Sequence, residues 1–242
     1  MKYTSIYRLL AVLLISFPGT SAWAQSDTEF AQRGLEIAQE SDRRDLGFGD
    51  TVTTMTMMLR NRHGQTSERA LRSNTLEVEG DGDKSLIIFE KPRDVQGTAF
   101  LSFTHATSPD DQWLYLPSLK RVKRISSSNK SGPFMGSEFA YEDISSQELD
   151  KYTYRFIEES ELDGVPMFVV ERIPTYGKSG YTKQVVWYDQ EHYRLFKADF
   201  YDRRGSLMKT LNWLDYRQYL DQFWRSHEME MTNHQTGKST TL

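Results

Sequence analysis

From Thr51 to the end of the chain, apolar and polar residues alternate in short runs separated by turn residues. A period of two places alternate side chains on opposite faces, so this pattern specifies strands. The runs are Thr51–Arg60, Glu68–Glu79, Ser85–Glu90, Gly97–His105, Gln112–Leu116 and Arg121–Ile125. They resume as Tyr152–Glu159, Pro166–Ile173, Thr182–Tyr188, Arg194–Tyr201, Ser206–Tyr216, Phe223–Thr232 and Lys238–Leu242. Asn61–Gly64, Asp163-Gly164, Arg203–Gly205 and Thr236-Gly237 supply turns between them. About a dozen strands make one large antiparallel sheet rather than several small ones.

A sheet of that width must bury its inner face, and the chain offers little helix to cover it. One amphipathic helix is predicted over 27–44. Ser26 or Asp27 caps it, Phe30, Gly34, Ile37 and Ala38 share a face, Arg43 and Arg44 close it, and Gly47 and Gly49 stop it. A second helical turn is expected within 145–151. The predicted fold class is therefore mainly β: a large curved antiparallel sheet forming an incomplete, half-open barrel with covering helices. Residues 126–143 read as a long loop, polar in its first half and carrying Phe134, Met135, Phe139 and Tyr141 in its second.

Residues 1–24 have the form of a cleaved leader. Lys2 and Arg8 precede a short apolar run, Leu9–Phe17, and Ala22-Trp23-Ala24 matches a small-residue cleavage site before Gln25. Residues 25–242 then form a single exported domain, and no later run is long enough to span a bilayer as a helix. The formal net charge is −4, and loss of Lys2 and Arg8 makes it more negative still, which argues against a nucleic-acid partner. There are no cysteines, so neither disulfides nor thiolate metal sites are expected.

Catalytic motifs are sparse. No G-x-S-x-G elbow, P-loop or dinucleotide fingerprint is present, and the five histidines do not fall at metal-ligand spacings. Neither a cofactor nor a metal is expected, and the chain does not read as an enzyme. Glu142 and Asp143 are the weakest-supported candidates for a carboxylate-based hydrolase. The more informative segment is Trp113-Leu114-Tyr115-Leu116-Pro117-Ser118-Leu119-Lys120-Arg121-Val122-Lys123-Arg124, an aromatic strand, a turn and a basic strand. Arg121 and Lys123 share one face and Arg124 takes the other, which suits a solvated edge strand or an anion-attracting rim. Met55 and Met57 also share a face and add adaptable apolar surface.

These residues, together with Phe89 to Leu101, Phe134–Phe139, Tyr141-Glu142-Asp143 and Asn233-x-x-Thr236-Gly237-Lys238-x-Thr240, resemble the LolA/LolB-like family. Within it, the chain is most similar to the outer membrane lipoprotein-sorting protein subgroup. The resemblance implies an incomplete antiparallel barrel whose cavity accepts acyl chains, a periplasmic location, and association with a membrane transporter of the resistance-nodulation-division type. It leaves the cargo open between a lipoprotein and another lipid or hydrophobic metabolite. Phe89, Phe100, Phe103, Trp113, Tyr115, Phe134, Met135 and Phe139 are the expected lipid-binding residues, and Arg121, Lys123 and Arg124 the head-group or partner contacts. A monomer is expected. The competing expectation is an adaptor or sensor of the transporter complex that carries nothing.

Overall fold

The computed structural model describes residues 21–126 and 129–242, with side chains from residue 26 onward. The expected leader lies outside the described residues, apart from the backbone of 21–24, which opens the first helix. That helix, α1 (Ser21–Asp45), covers the segment predicted and extends it by a turn at its start.

Thirteen strands follow among the described residues. The first six are β1 (Asp50–Arg60), β2 (Thr66–Leu76), β3 (Lys84–Lys91), β4 (Ala99–Phe103), β5 (Asp111–Leu116) and β6 (Arg121–Ile125). The other seven are β7 (Tyr152–Leu162), β8 (Val165–Pro174), β9 (Lys183–Asp189), β10 (Leu195–Tyr201), β11 (Leu207–Tyr219), β12 (Phe223–Asn233) and β13 (Lys238–Thr241). They form one antiparallel sheet in the order β6-β5-β4-β3-β2-β1-β13-β12-β11-β10-β9-β8-β7. The ends, β6 and β7, do not pair, so the barrel stays open as expected.

This order follows from hairpins. Asn61 accepts the backbone N–H groups of His63 and Gln65 on its side-chain oxygen, tightening the β1–β2 turn. Asp163 and Gly164, with φ of 52° and 82°, form the two-residue turn between β7 and β8 that matches strand twist. The chain winds outward from β1 to β6, crosses the concave side through residues 129–151, and winds back from β7 until β13 meets β1.

The crossing segment is therefore not a surface loop. It contains a tight turn at Phe134–Gly136, a one-turn helix α2 (Tyr141–Ile144) and another tight turn at Leu149–Lys151. The expected helical turn within 145–151 is the one at Leu149–Lys151, and α2 is an additional turn before it. Two hydrophobic clusters fill the concavity. The first gathers Met57, Leu71, Ile87, Phe89, Phe100 and Leu114 around Phe134. The second gathers Tyr152, Tyr154, Phe156, Val170, Val186 and Phe200 around Phe139, with Ile37 and Ala38 of α1 packed on it.

α1 can approach β7 because Gly34 has no side chain. A Cβ there would lie 2.6 Å from the backbone nitrogen of Phe156 and 2.7 Å from the carbonyl carbon of Arg155. Around this contact Phe30 stacks on Phe156, and Arg33 lies 3.9 Å over the same ring and pairs with Glu159. In an isolated helix Gly→Ala gains about 1 kcal/mol. Here the backbone clash prevails, and Gly34→Ala is expected to destabilise the protein by about 1–3 kcal/mol. Thermal unfolding followed by circular dichroism checks this; an unchanged or raised midpoint would show that α1 does not pack on β7 this closely.

Candidate functional site

The crossing segment is anchored by three acidic side chains, each bonded to a different part of the sheet. Glu138 accepts the Asn233 side-chain amide at 2.7 Å, while its own backbone N–H donates to the Thr240 hydroxyl at 3.0 Å. Glu142 accepts the Tyr176 hydroxyl at 3.0 Å, the Ser179 hydroxyl at 2.8 Å and the Gly180 N–H at 2.8 Å. Asp143 accepts the Ala140 N–H at 2.7 Å and the Tyr181 hydroxyl at 2.8 Å, with Lys209 3.7 Å away. Burial pushes the Asp143 carboxyl up, and the Lys209 ammonium draws it back down.

These bonds give Glu142 and Asp143 a structural role: both carboxylates hold α2 against the β8–β9 connection. They also explain why the terminal segment Asn233–Thr240 belongs with Phe134–Phe139: Asn233 and Thr240 grip Glu138. Removing one partner of a buried pair leaves the other uncompensated, at a cost of about 3–5 kcal/mol. Asp143→Ala is expected to destabilise by that amount, and Asp143→Ala with Lys209→Met to recover part of it. Urea unfolding of the two variants measures the difference; an additive double variant would mean that the pair is not coupled.

A further carboxyl beside this segment has an unusual affinity for its proton. Glu148 is pushed up to about 7, first by burial and then by Asp83, Asp42 and Asp110, against the pull of Lys151. An acid that binds its proton more tightly in the folded state stabilises the fold at low pH, and loses that contribution as pH rises from about 4.5 to about 7. Solvent screening at this half-buried site reduces the effect. Wild-type stability is therefore expected to fall between pH 5 and 7.5, and Glu148→Gln to flatten the slope. Denaturant midpoints at the two pH values test this; equal slopes would remove Glu148 as the cause.

The expected lipid-binding residues do not share one surface. Phe89 and Phe100 are fully buried on the inner face, with ring centroids 5.9 Å and 5.3 Å from that of Phe134. Met135 covers this cluster in part, and Phe139 lies in the other. Phe103 and Trp113 face the opposite, outer side of the sheet, where their rings meet edge to face at 5.4 Å. Tyr115 lies on that outer face too, cross-strand from Val122. The reason is strand parity: Phe100 and Phe103 are separated by an odd number of residues and cannot point the same way. Arg121 and Lys123 are exposed on the edge strand β6, whereas Arg124 turns to the other face and pairs with Asp111.

The large opening lies elsewhere. β13 has only four residues, set between two strands of eleven. It pairs with β1 only at Met58–Arg60 and with β12 only at Glu230–Asn233. Past its end, among the described residues, β1 from Asp50 to Met57 has no strand neighbour on that side, a free length of about 26 Å. β1 and the first half of β12 thus part around a cleft of about 920 Å³. That is near the upper end of the roughly 300–1,000 Å³ typical of ligand pockets.

Met55, Trp213, Met229 and Leu242 line the cleft and pack against the two hydrophobic clusters beneath it. Val52, Tyr219 and Leu220 line it too, and expose 65%, 46% and 83% of their surface. Exposed apolar side chains gathered around one concavity mark a binding surface. At one end Phe48 lies beneath Arg225, which pairs with Asp45 of α1. The sequence signals were the Met55/Met57 alternation and the brevity of the last strand, but not the junction between them.

A family model described as "uncharacterized protein" matches residues 81–242. The chain is 61% identical to a Vibrio parahaemolyticus domain crystallised as an outer membrane lipoprotein-sorting protein domain. The match covers 87% of this chain and 89% of that one, with a TM-score of 0.86. It is 29% identical to a DUF1329 family protein from Desulfovibrio piger, over 88% and 90% of the two chains, with a TM-score of 0.83. A LolA superfamily protein from Nitrosomonas europaea, at 19% identity, 88% and 90% coverage and a TM-score of 0.68, shares the fold. No curated protein matches the chain.

Proposed function

The chain belongs to the outer membrane lipoprotein-sorting protein family, and from that premise we propose that it is a non-enzymatic periplasmic carrier. It shields the acyl chains of a lipoprotein or another lipid and moves them between the inner and outer membranes. The observation that carries this reading is the cleft left by the short β13, with Met55, Trp213, Met229 and Leu242 at its base.

Each methylene transferred from water to such a surface contributes about 0.8 kcal/mol. Ten buried methylenes therefore supply roughly 8 kcal/mol before the cost of immobilising the ligand. A carrier must also release its cargo, and this cleft suits release. Its methionines repack easily, and one wall is a sheet edge with no strand beside it. Phe89, Phe100 and Phe134 are already closed against one another, and in this reading they support the cleft from below. Loading and unloading require a membrane partner, and the exposed Arg121 and Lys123 on the free edge strand offer a basic docking rim for a transporter of the resistance-nodulation-division type.

The mature protein, purified from its own periplasm and extracted for lipid, should carry a discrete amphiphile as a monomer. Val52→Asp with Tyr219→Asp places charge at the mouth of the cleft in exposed positions and is expected to cut lipid retention at least tenfold with the fold intact. Trp113→Ala, on the outer face, leaves retention unchanged. Arg121→Glu with Lys123→Glu keeps the lipid and loses co-purification with the transporter. A folded wild-type protein free of lipid, but still recovered with a membrane complex, would overturn the carrier and make the protein an adaptor.

A further inference from the structure

Beside the cleft, and sharing Asp45, Tyr216 and Trp224 with it, lies a second pocket of about 400 Å³. Its character is different. Arg43 and Arg44 enter it from the last turn of α1 and Arg194 from just before β10, and Gln218, Gln222 and His192 also line it. The cleft and this cationic pocket therefore adjoin.

The arginines are held in place but not used up. Arg43 donates to Glu40 through Nε and one terminal nitrogen, at 2.8 and 2.7 Å. Arg44 donates to Glu40 through Nε at 2.7 Å and to the Glu191 carbonyl through one terminal nitrogen at 2.8 Å. Arg194 donates only through Nε, to Asp189 at 2.8 Å. Among the described residues, one terminal nitrogen of Arg43, one of Arg44 and both of Arg194 have no acceptor. Glu40 pairs with Arg43 and Arg44, Asp189 with Arg194, Asp45 with Arg225, and Glu191 with His192, which also lines the pocket.

Arg194 is the most constrained of the three. Its guanidinium lies 4.4 Å over the Trp224 ring, 5.2 Å over Tyr216 and 5.4 Å over Phe196. Arg44 lies 4.7 Å over Tyr193. Aromatic faces hold a guanidinium without consuming its N–H donors, so these groups are preorganised to bind an anion. One carboxylate is satisfied by a single guanidinium fork. A tetrahedral phosphate presents enough oxygens for several, with the glutamine amides left for its ester oxygens.

We propose that the ligand of this protein carries a phosphate head group: its chains occupy the β1–β12 cleft and its phosphate the pocket of Arg43, Arg44 and Arg194. The inference rests on the carrier reading and narrows its cargo to phosphate-headed amphiphiles over neutral acylglycerols and free phosphate.

The test compares dioctanoyl phosphatidic acid, dioctanoylglycerol with the same chains, and inorganic phosphate, titrated against the full mature protein by calorimetry. Wild type is expected to bind the phosphatidic acid at least tenfold more tightly than the diacylglycerol, with the preference weakening in high salt. Arg43→Gln with Arg44→Gln should bring the two lipids within about twofold and leave diacylglycerol binding unchanged. Arg194→Gln is the second variant, and Asp189 keeps the N–H groups of Glu191, His192 and Arg194 as partners when the guanidinium is lost. Equal binding of both lipids by wild type overturns the phosphate assignment and leaves the carrier standing. A preference that survives both variants overturns the placement of the head group. Phosphate alone binding as tightly as the lipid makes this a free-anion site and overturns the proposal. Failure of both lipids to bind removes the carrier reading itself.

Discussion

The fold depends on three acidic side chains holding the crossing segment against a sheet too wide to close. Strands β6 and β7 end the sheet without meeting, and the single helix of any length packs mainly on β7 and β8. Without residues 129–151, the inner faces of β1 to β6 would be open to water. Glu138, Glu142 and Asp143 prevent this by bonding to the β12–β13 turn, the β8–β9 connection and β11. Buried carboxylates are costly unless their oxygens are satisfied, and those of Glu142 and Asp143 are satisfied by hydroxyl and backbone N–H donors of the β8–β9 connection and of Ala140, with the Lys209 ammonium nearby. Phe134 and Phe139 then complete two hydrophobic clusters that would otherwise lack a centre.

This arrangement also places the cleft. Phe89, Phe100 and Phe134 pack on one another in the interior. The cleft opens where the sheet itself is incomplete, at the seam beside β13. The proposed binding surface is thus a property of strand length: a four-residue strand cannot bridge the full length of its two neighbours.

The sequence was most legible where the physics is local. Strand alternation, the Asp163-Gly164 turn and the Gly34/Ile37/Ala38 face depend on residues near one another in the chain, and each has its counterpart in the structure. The crossing segment was read as a loop because its burial depends on partners far away, Asn233 for Glu138 and Lys209 for Asp143. Polar composition alone does not distinguish a solvated acid from an acid bonded inside. The expected aromatic lining divides between two faces for a different reason. Phe103 and Trp113 were grouped with Phe100 by composition, whereas a period of two already placed Phe100 and Phe103 on opposite faces. Val52, Tyr219 and Leu220 gave no sign individually, since single exposed apolar residues are ordinary and only their gathering at one seam has meaning.

The outer-face pair of Phe103 and Trp113 follows the same logic as the core. Lys84 lies 5.1 Å over the Phe103 ring, and Arg124, cross-strand from Trp113, pairs with Asp111. The Lys84 side chain lies over aromatic surface here, as long cationic side chains do where their stems cover apolar groups. The basic strand and the aromatic strand, adjacent in sequence, therefore do two separate things: Arg124 covers the outer face, while Arg121 and Lys123 remain on the other side of an unpaired edge. A charged edge resists pairing with another copy of the same chain. It still admits an acidic partner, so the features that keep this sheet from aggregating also leave it able to dock.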